Sequence, residues 1–500
     1  MTRVTTGAYT IGQWITNSAS LTPDRVAIEY LDRLVSYREL DDASTRLAIG
    51  LLAHGLVRAD RIVTLTENRL EQVELFFACA KAGLILAPLN GHSSAVELAG
   101  QLESFDPALA VASRAHSDRL TQACSLAGAN YPLSLESLAD SLERDSSVVD
   151  LPLVGDDDGL LLISTSGTTG RPKGSLLSHA NCYWTNRSLD LSIPISGDDV
   201  VLQVLPQYHV GGWNVQPLLA WCKGATVILE PSFNPDRIFE LLAKRHVTTM
   251  MGVPTTYLML AQHPCFEDAD FSSLRSVVVG GASMPTALLD RWHERGVEVV
   301  QGYGLTEASP NVFCLGPEDA ISHAGSVGKP YAHVEVALRD VVTGKLIVDV
   351  GRGEILVRGP NVFPGYWNDS SATTDTFVDG WLRTGDVAER DDAGYYWICG
   401  RNKEMYVSGG ENVYPSEVER VLCLHPGVLE AAVISVAHQR WGETGQAFVV
   451  VQTGAVLDVN ELIEHCRTYL ASFKVPTEIE VVSELPRSPL GKIDKERLRG

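Results

Sequence analysis

Positive charge, paired cysteine and long apolar runs are all scarce in this 500-residue chain. Lys and Arg number 40 against 62 Asp and Glu, a formal charge of −22. That balance argues against nucleic acid or an anionic membrane as a partner, because both require clustered cations. The nine cysteines are odd in number, scattered and free of any C-x-x-C pair. This excludes the usual zinc and dithiol motifs and suits reduced thiols in a cytoplasm. The most apolar stretch, residues 73–89, carries Glu74 and Lys81, so no integral membrane segment is expected. No signal peptide is legible at the start either. Two common nucleotide fingerprints are also missing. Lys173 is followed by Gly174 rather than by a hydroxyl, so there is no Walker A loop, and 167–170 runs Gly-Thr-Thr-Gly rather than G-x-G-x-x-G.

What is present reads as globular enzyme material. Apolar residues make up 45% of the chain, enough for two or three domains. Residues 276–279 predict a strand, 285–295 a helix and 297–300 a second strand, which is a βαβ unit and hence a parallel sheet. Ligands of such sheets sit beyond the carboxyl ends of the strands. Glycine-bearing stretches fall at three such ends: 165–170, 280–283 and 302–307. A boundary is expected near residue 401. A strand over 395–399 leads there into a polar connector, Gly400-Arg401-Asn402-Lys403. Helices near 415 and over 460–470, and strands near 428–436 and 479–482, follow it.

The stretch 163–174, Ile-Ser-Thr-Ser-Gly-Thr-Thr-Gly-Arg-Pro-Lys-Gly, offers five hydroxyls, three glycines and a lysine. Bare backbone N–H groups, hydroxyls and an ammonium are phosphate chemistry, although composition alone also fits a solvated loop. Five further stretches follow in order: Gly280-Gly281-Ala282, Gly302-Tyr303-Gly304-Leu305-Thr306-Glu307, Trp381-Leu382-Arg383-Thr384-Gly385-Asp386, Gly400 to Glu404 with Ser408 to Asn412, and Pro489-Leu490-Gly491-Lys492. Together they resemble the motif series of the adenylate-forming superfamily, which includes acyl-CoA synthetases, aryl-CoA ligases, luciferases and adenylation domains.

The resemblance implies an α/β fold: a large N-terminal domain of sheets layered with helices plus a small β-barrel-like subdomain (residues 1–401), and a small mobile α+β C-terminal domain (402–500). It implies an AMP-forming ligase that uses ATP and Mg²⁺ and passes its acyl group to CoA. Thr165, Ser166, Gly167, Thr168, Thr169, Gly170 and Lys173 would then hold the phosphates. Gly281, Ala282, Gln301, Gly302, Tyr303 and Gly304 would line the nucleotide, and Asp386 and Arg401 would take the ribose. Thr306, Glu307, His209 and Lys492 would be catalytic, with Glu307 the Mg²⁺ ligand and Lys403 the hinge. Tyr208, Gly211, Gly212, Trp213 and Gly280 would form the acyl pocket. Gly409, Gly410, Trp441 and Lys474 would guide CoA.

Between Val204 and Leu219 no acidic residue stands to pair an α-ammonium, so an apolar acid is expected rather than an amino acid. A medium- or long-chain fatty acid is favoured. An aryl or cyclic acid, an acyl-AMP ligase loading a carrier protein, and a non-catalytic nucleotide- or acyl-binding relative remain the alternatives. Association into a homodimer is compatible with the sequence.

Overall fold

A computed structural model describes residues 7–142, 150–165, 173–452, 454–487 and 493–499. Two large sheets carry the first part of the chain. In the nine-stranded sheet the order is Lys329–Pro330, Asn311–Cys314, Val299–Gly304, Ser276–Val279, Thr249–Gly252, Val200–Gln203, Thr226–Leu229, Val26–Tyr30 and Arg33–Ser36. The six strands from Val299–Gly304 to Val26–Tyr30 run parallel. The expected βαβ unit is among them: strand Ser276–Val279, helix Thr286–Glu294 and strand Val299–Gly304. Val200–Gln203 lies between the two strands that follow it in sequence, so the strand order reverses there. The crevice at such a reversal is the natural ligand site of an open parallel sheet.

The seven-stranded sheet runs Gly365–Tyr366, Lys173–Ser178, Gly159–Thr165, Ile85–Leu89, Arg61–Leu65, Leu109–Ala112 and Leu133–Ser134. Its last five strands are parallel, and Lys173–Ser178 returns antiparallel to Gly159–Thr165. Ser178 ends that return strand and opens helix His179–Ser192. Its hydroxyl accepts from Asn181 N–H while Asn181 answers with its own side chain, which satisfies two otherwise orphaned donors. The apolar run foreseen at 73–89 is helix Leu70–Ala82, closed by left-handed Gly83, then strand Ile85–Leu89. The helix is buried along nearly its whole length and packs between the sheets; its Phe76 stacks on Trp213 with ring centroids 4.4 Å apart. Asn68, just past strand Arg61–Leu65, stitches the two sheets. Its Nδ2 donates to the carbonyls of Leu205 (3.0 Å) and Glu230 (3.1 Å), and its Oδ1 accepts from Gln207 N–H (2.8 Å).

A third sheet of six antiparallel strands spans Glu335–Arg339 to Tyr396–Arg401 and stands where the barrel-like subdomain was expected. Gly400 and Arg401, read from sequence as connector, are the last residues of its strand Tyr396–Arg401. The connecting turn is the 3-10 helix Asn402–Glu404. A five-stranded sheet follows, with helices Pro415–Leu422 and Val459–Tyr469 packed on one face through Val418, Leu422, Leu462 and Cys466. The chain's end covers the other face, with Ile493 and Leu498 against Ile434 and Phe448. Strand Gly442–Val451 at the centre of this sheet was not foreseen. Among the described residues this C-terminal unit meets the rest through Ser416 Oγ on the Cys399 carbonyl, Tyr414 beside Val387 and Cys399, and Arg352 Nη1 3.7 Å from Glu417 Oε2, among other contacts. Among the described residues no helix is long and apolar enough to cross a membrane.

Candidate active site

The carboxyl ends of both parallel sheets open into one cavity of about 1230 Å³. After Val200–Gln203 come Val204, Leu205, Tyr208 and His209. Phe233 follows Thr226–Leu229, Val253 follows Thr249–Gly252, Gly280 and Gly281 follow Ser276–Val279, and Thr306 and Glu307 follow Val299–Gly304. The second sheet adds Glu67, Gly91, Ser164 and Thr165 at its own strand ends. The topology therefore decides where chemistry gathers before any side chain is considered.

Three polar groupings line this cavity. In the first, Asp386 lies on strand Trp381–Arg390 directly across from Arg401. Arg401 Nε is 3.1 Å from Asp386 Oδ1, and the Tyr303 phenol donates to Asp386 Oδ2 at 2.6 Å. Burial first, then the adjacent carboxylate, raises the phenol well above its ordinary pKa. The bond is thus a charge-assisted O–H···O⁻ contact of the strong kind. The backbone is fixed beside it, because Thr384 Oγ1 accepts from Asp386 N–H at 3.1 Å.

In the second, Thr306 and Glu307 lie on a 3-10 turn, Thr306–Ala308, that Gly304 makes accessible: a Cβ there would lie 1.9 Å from the Pro310 carbonyl oxygen. Tyr366 Oη donates to Glu307 Oε1 at 2.8 Å, and Lys173 Nζ stands 5.0 Å over the Tyr366 ring. Thr165 and Lys173 are cross-strand partners, so the ladder sets the two ends of the glycine-rich loop side by side. Ser166, Gly167, Thr168, Thr169 and Gly170 lie outside the described residues, as does Lys492.

The third is Tyr208 and His209, with ring centroids 4.4 Å apart, in front of Gly211 and Gly212. A Cβ on Gly212 would lie 2.4 Å from the Pro206 carbonyl oxygen, so the turn requires glycine. Val210, Val215, Phe233, Met251, Val253 and Met259 add an apolar stretch of wall, and Glu67, His92, His116 and Arg119 line a further polar part of the cavity. Met251 Cε would stand 3.0 Å from a Cβ on Gly280.

Several expected residues are placed elsewhere. Trp213 is fully buried, stacks on Phe76 and donates its indole N–H to the Gln207 carbonyl at 2.7 Å; it faces the core and does not line the cavity. Gln301 is buried too, its amide spent on Met284 N–H and the Ser326 carbonyl. Ala282 is exposed, outside the lining, and so is Lys403 on the connecting turn. Every described residue lining the cavity falls between Thr66 and Arg401. The four CoA candidates therefore lie outside it. Gly409 and Trp441 are in contact: the Gly409 N–H donates to the Trp441 carbonyl at 2.8 Å, and a Cβ on Gly409 would lie 2.6 Å from Trp441 Cε3. Gly410 follows with φ +90°. Lys474 is separate from them, 2.6 Å from Glu417 Oε1. Sequence reasoning missed Tyr366 and Arg383. Both line the cavity, and Arg383 is held by the nearly buried Glu354. Only an aromatic in the Gly365-Tyr366-Trp367 stretch hinted at the first.

Comparison with known proteins agrees with this architecture. The sequence matches the AMP-binding enzyme family over residues 15–367 and the AMP-binding enzyme C-terminal domain over 417–492. It is 38% identical over 489 residues to a feruloyl-CoA synthase of Amycolatopsis, covering 98% of both chains. It is 37% identical to an indoleacetate–CoA ligase of Aromatoleum aromaticum, covering 98% of this chain and 97% of that one. A long-chain-fatty-acid–CoA ligase of Mycobacterium tuberculosis is 35% identical, with 94% and 93% covered. The solved o-succinylbenzoate CoA synthetase of Bacillus subtilis, in complex with ATP and magnesium ion, superposes with a TM-score of 0.86 at 30% identity, covering 97% of this chain and 99% of that chain. The chain belongs to the AMP-binding enzyme family, and within it to the AMP-forming acyl- or aryl-CoA ligases. ATP, Mg²⁺ and CoA are the small molecules such ligases use.

Proposed function

We propose that this enzyme activates an apolar monocarboxylic acid carrying an aromatic ring and transfers it to CoA. The observation that carries the reading is the single cavity in which Lys173, Thr306 and Glu307 adjoin the Asp386–Arg401 pair and a wall of glycines and aliphatics. Bare peptide faces at Gly211, Gly212, Gly280 and Gly281 suit a flat ring. Among the wall residues from Val204 to Gly281 the single ionisable nitrogen base is His209, so a second substrate carboxylate lying against that wall would meet no fixed cation, whereas Arg119 and Arg383 line the cavity elsewhere. Two of the relatives act on aromatic acids by name. A fatty acid is the second reading, favoured by the flexible Met251 and Met259 and by the mycobacterial relative.

In the first half-reaction a carboxylate oxygen attacks the α-phosphorus of ATP and pyrophosphate leaves. Lys173 would hold the pyrophosphate end, with the 165–170 loop, and Thr306 would donate to the α-phosphate. Tyr303 would flank the adenine, bordered by Gly302 and Gly304. Asp386 would accept from the ribose hydroxyls with Arg401 beside it. Tyr208 and His209 would gate the acid, and Lys492 would bridge the carboxylate and the α-phosphate. The site suits Mg²⁺: a carboxylate bonded by Tyr366 through one oxygen keeps lone pairs for a metal. Among the described residues no cluster of three or more His, Cys, Asp or Glu would bind a metal by itself, and Mg²⁺ sites commonly combine one carboxylate with phosphate oxygens. Bound there, the ion would offset charge developing on the phosphates. In the second half-reaction the thiol attacks the acyl carbon and AMP leaves. For that step the domain 402–500 would turn about Lys403, taking Lys492 away and bringing Gly409, Gly410 and Trp441 to the cavity. We place the enzyme in the cytoplasm on its nine free thiols.

The test is AMP and pyrophosphate release from MgATP across aromatic, straight-chain and branched acids, with and without CoA. Turnover with CoA that peaks on aryl acids is expected. A straight-chain optimum would favour the second reading. Adenylate formed but never passed to CoA would point to a carrier protein.

A further inference from the structure

Residues 360–367 had no assigned chemistry, yet they are lashed to both sides of the phosphate end of the cavity. On one side, Asn361 Nδ2 donates to the carbonyls of Ala308 (2.9 Å) and Asn311 (3.0 Å), and Phe363 N–H donates to the carbonyl of Glu307 (2.9 Å). On the other, Tyr366 pairs with Ser175 in the ladder, Trp367 N–H donates to the Gly174 carbonyl (2.7 Å), and Asn181 Nδ2 holds the carbonyls of Pro360 and Val362 at 2.9 Å each. Tyr366 stands where the two sides meet. Its phenol bonds the Glu307 carboxylate, and its ring face carries the Lys173 ammonium.

We propose that Tyr366 is a positioning residue for magnesium and the triphosphate: it orients the Glu307 carboxylate through its hydroxyl and fixes the standing place of Lys173 through its ring. The proposal rests on the reading of Glu307 as magnesium ligand and Lys173 as phosphate cation. A glutamate has three rotatable side-chain bonds, and a donor on one oxygen removes most of that freedom while leaving the other oxygen to face a metal. Groups that hydrogen-bond a metal's ligand typically govern about 10–100-fold in metal affinity.

The experiment is calorimetric titration of the full-length protein with ATP, without acid or CoA, over a series of Mg²⁺ concentrations and in EDTA. Tyr366→Phe keeps the ring and loses the hydroxyl. The Mg²⁺ concentration that half-maximally tightens ATP binding should rise about tenfold, with affinity in EDTA unchanged. Tyr366→Leu also removes the ring, and should weaken binding in EDTA by about two- to fivefold as well. Wild-type magnesium dependence in Tyr366→Phe, with that dependence lost in Glu307→Gln, overturns the proposal and leaves the metal-ligand reading standing. Wild-type dependence in Glu307→Gln overturns both. Ligand-free melting reports folding. Phe363→Leu removes the ring that meets Tyr366 edge-on at 5.0 Å without touching the phenol. If it raises the magnesium requirement as much as Tyr366→Phe does, segment loosening explains the effect and the proposal falls.

Discussion

At the scale of single residues, polar side chains carry two kinds of work that sequence alone does not separate. Asp386, Thr306 and Glu307 were legible through the motif strings that resemble those of the adenylate-forming superfamily, and all three line the cavity. Trp213 and Gln301 stood in equally suggestive strings, but their polar atoms are consumed by core partners. His179 shows the structural use most sharply. It is fully buried, its Nδ1 accepts the Ile11 N–H at 3.0 Å, and its Nε2 has no hydrogen-bond partner among the described residues. Burial lowers its pKa to about 4. Below the ordinary value near 6.5 the unfolded chain binds a proton that the folded chain refuses. The stabilising contribution is therefore complete above about pH 6.5 and is lost as pH falls toward 4, by about 3 kcal/mol in all. His179→Asn retains an acceptor but cannot titrate. In urea unfolding, the stability gap between wild type and His179→Asn should shrink as pH drops from 7 to 4.5. A gap independent of pH would show that the imidazole does not titrate as described.

At the scale of elements, the helices and strands around the parallel sheet were readable from apolar runs bounded by glycine and proline, and so was the location of the cavity at their carboxyl ends. Strand Gly442–Val451 was not, because Gly442 to Gln446 is polar and one turn-like glycine recurs within it. Arg401 was read as connector for a similar reason: pairing with Asp386, not local preference, makes it strand. Strand ends also set what the cavity accepts. Met251 lies one residue from the end of Thr249–Gly252, and its methyl closes on Gly280 at the end of the adjacent strand. A flexible thioether in that position limits the depth available to the acid. Met251→Ala should move the kcat/KM optimum toward bulkier acids by about tenfold or more, the scale on which a single methylene is discriminated. The KM for ATP should not change, since the Asp386 and Glu307 groupings lie on other elements. A uniform fall across all acids would mean that Met251 supports the fold rather than the pocket.

At the scale of the whole molecule, the cavity and the proposed thiol route are on separate bodies. Every described lining residue precedes residue 402, whereas Gly409 and Trp441 pack on each other away from it. The C-terminal unit holds its own end: Lys495 lies 3.3 Å from Glu404 and 2.7 Å from Glu419, so the segment that begins just after Lys492 travels with that unit. The proposed roles give Lys492 the first half-reaction and Gly409 the second, so the two half-reactions should be separable by mutation. Lys492→Ala should cost adenylation at least about a hundredfold, consistent with removing a charge aimed at the transferring phosphoryl group, yet still convert supplied acyl-AMP and CoA to thioester. Gly409→Leu should do the reverse. Its backbone sits at φ +62°, where a side chain is strained, and the added Cβ meets the Trp441 ring. Acid-dependent exchange of pyrophosphate into ATP should persist in Gly409→Leu, while thioester formation falls to background. If each variant lost both half-reactions equally, the two motifs would serve one arrangement of the molecule, and rotation about Lys403 would no longer be needed to explain them.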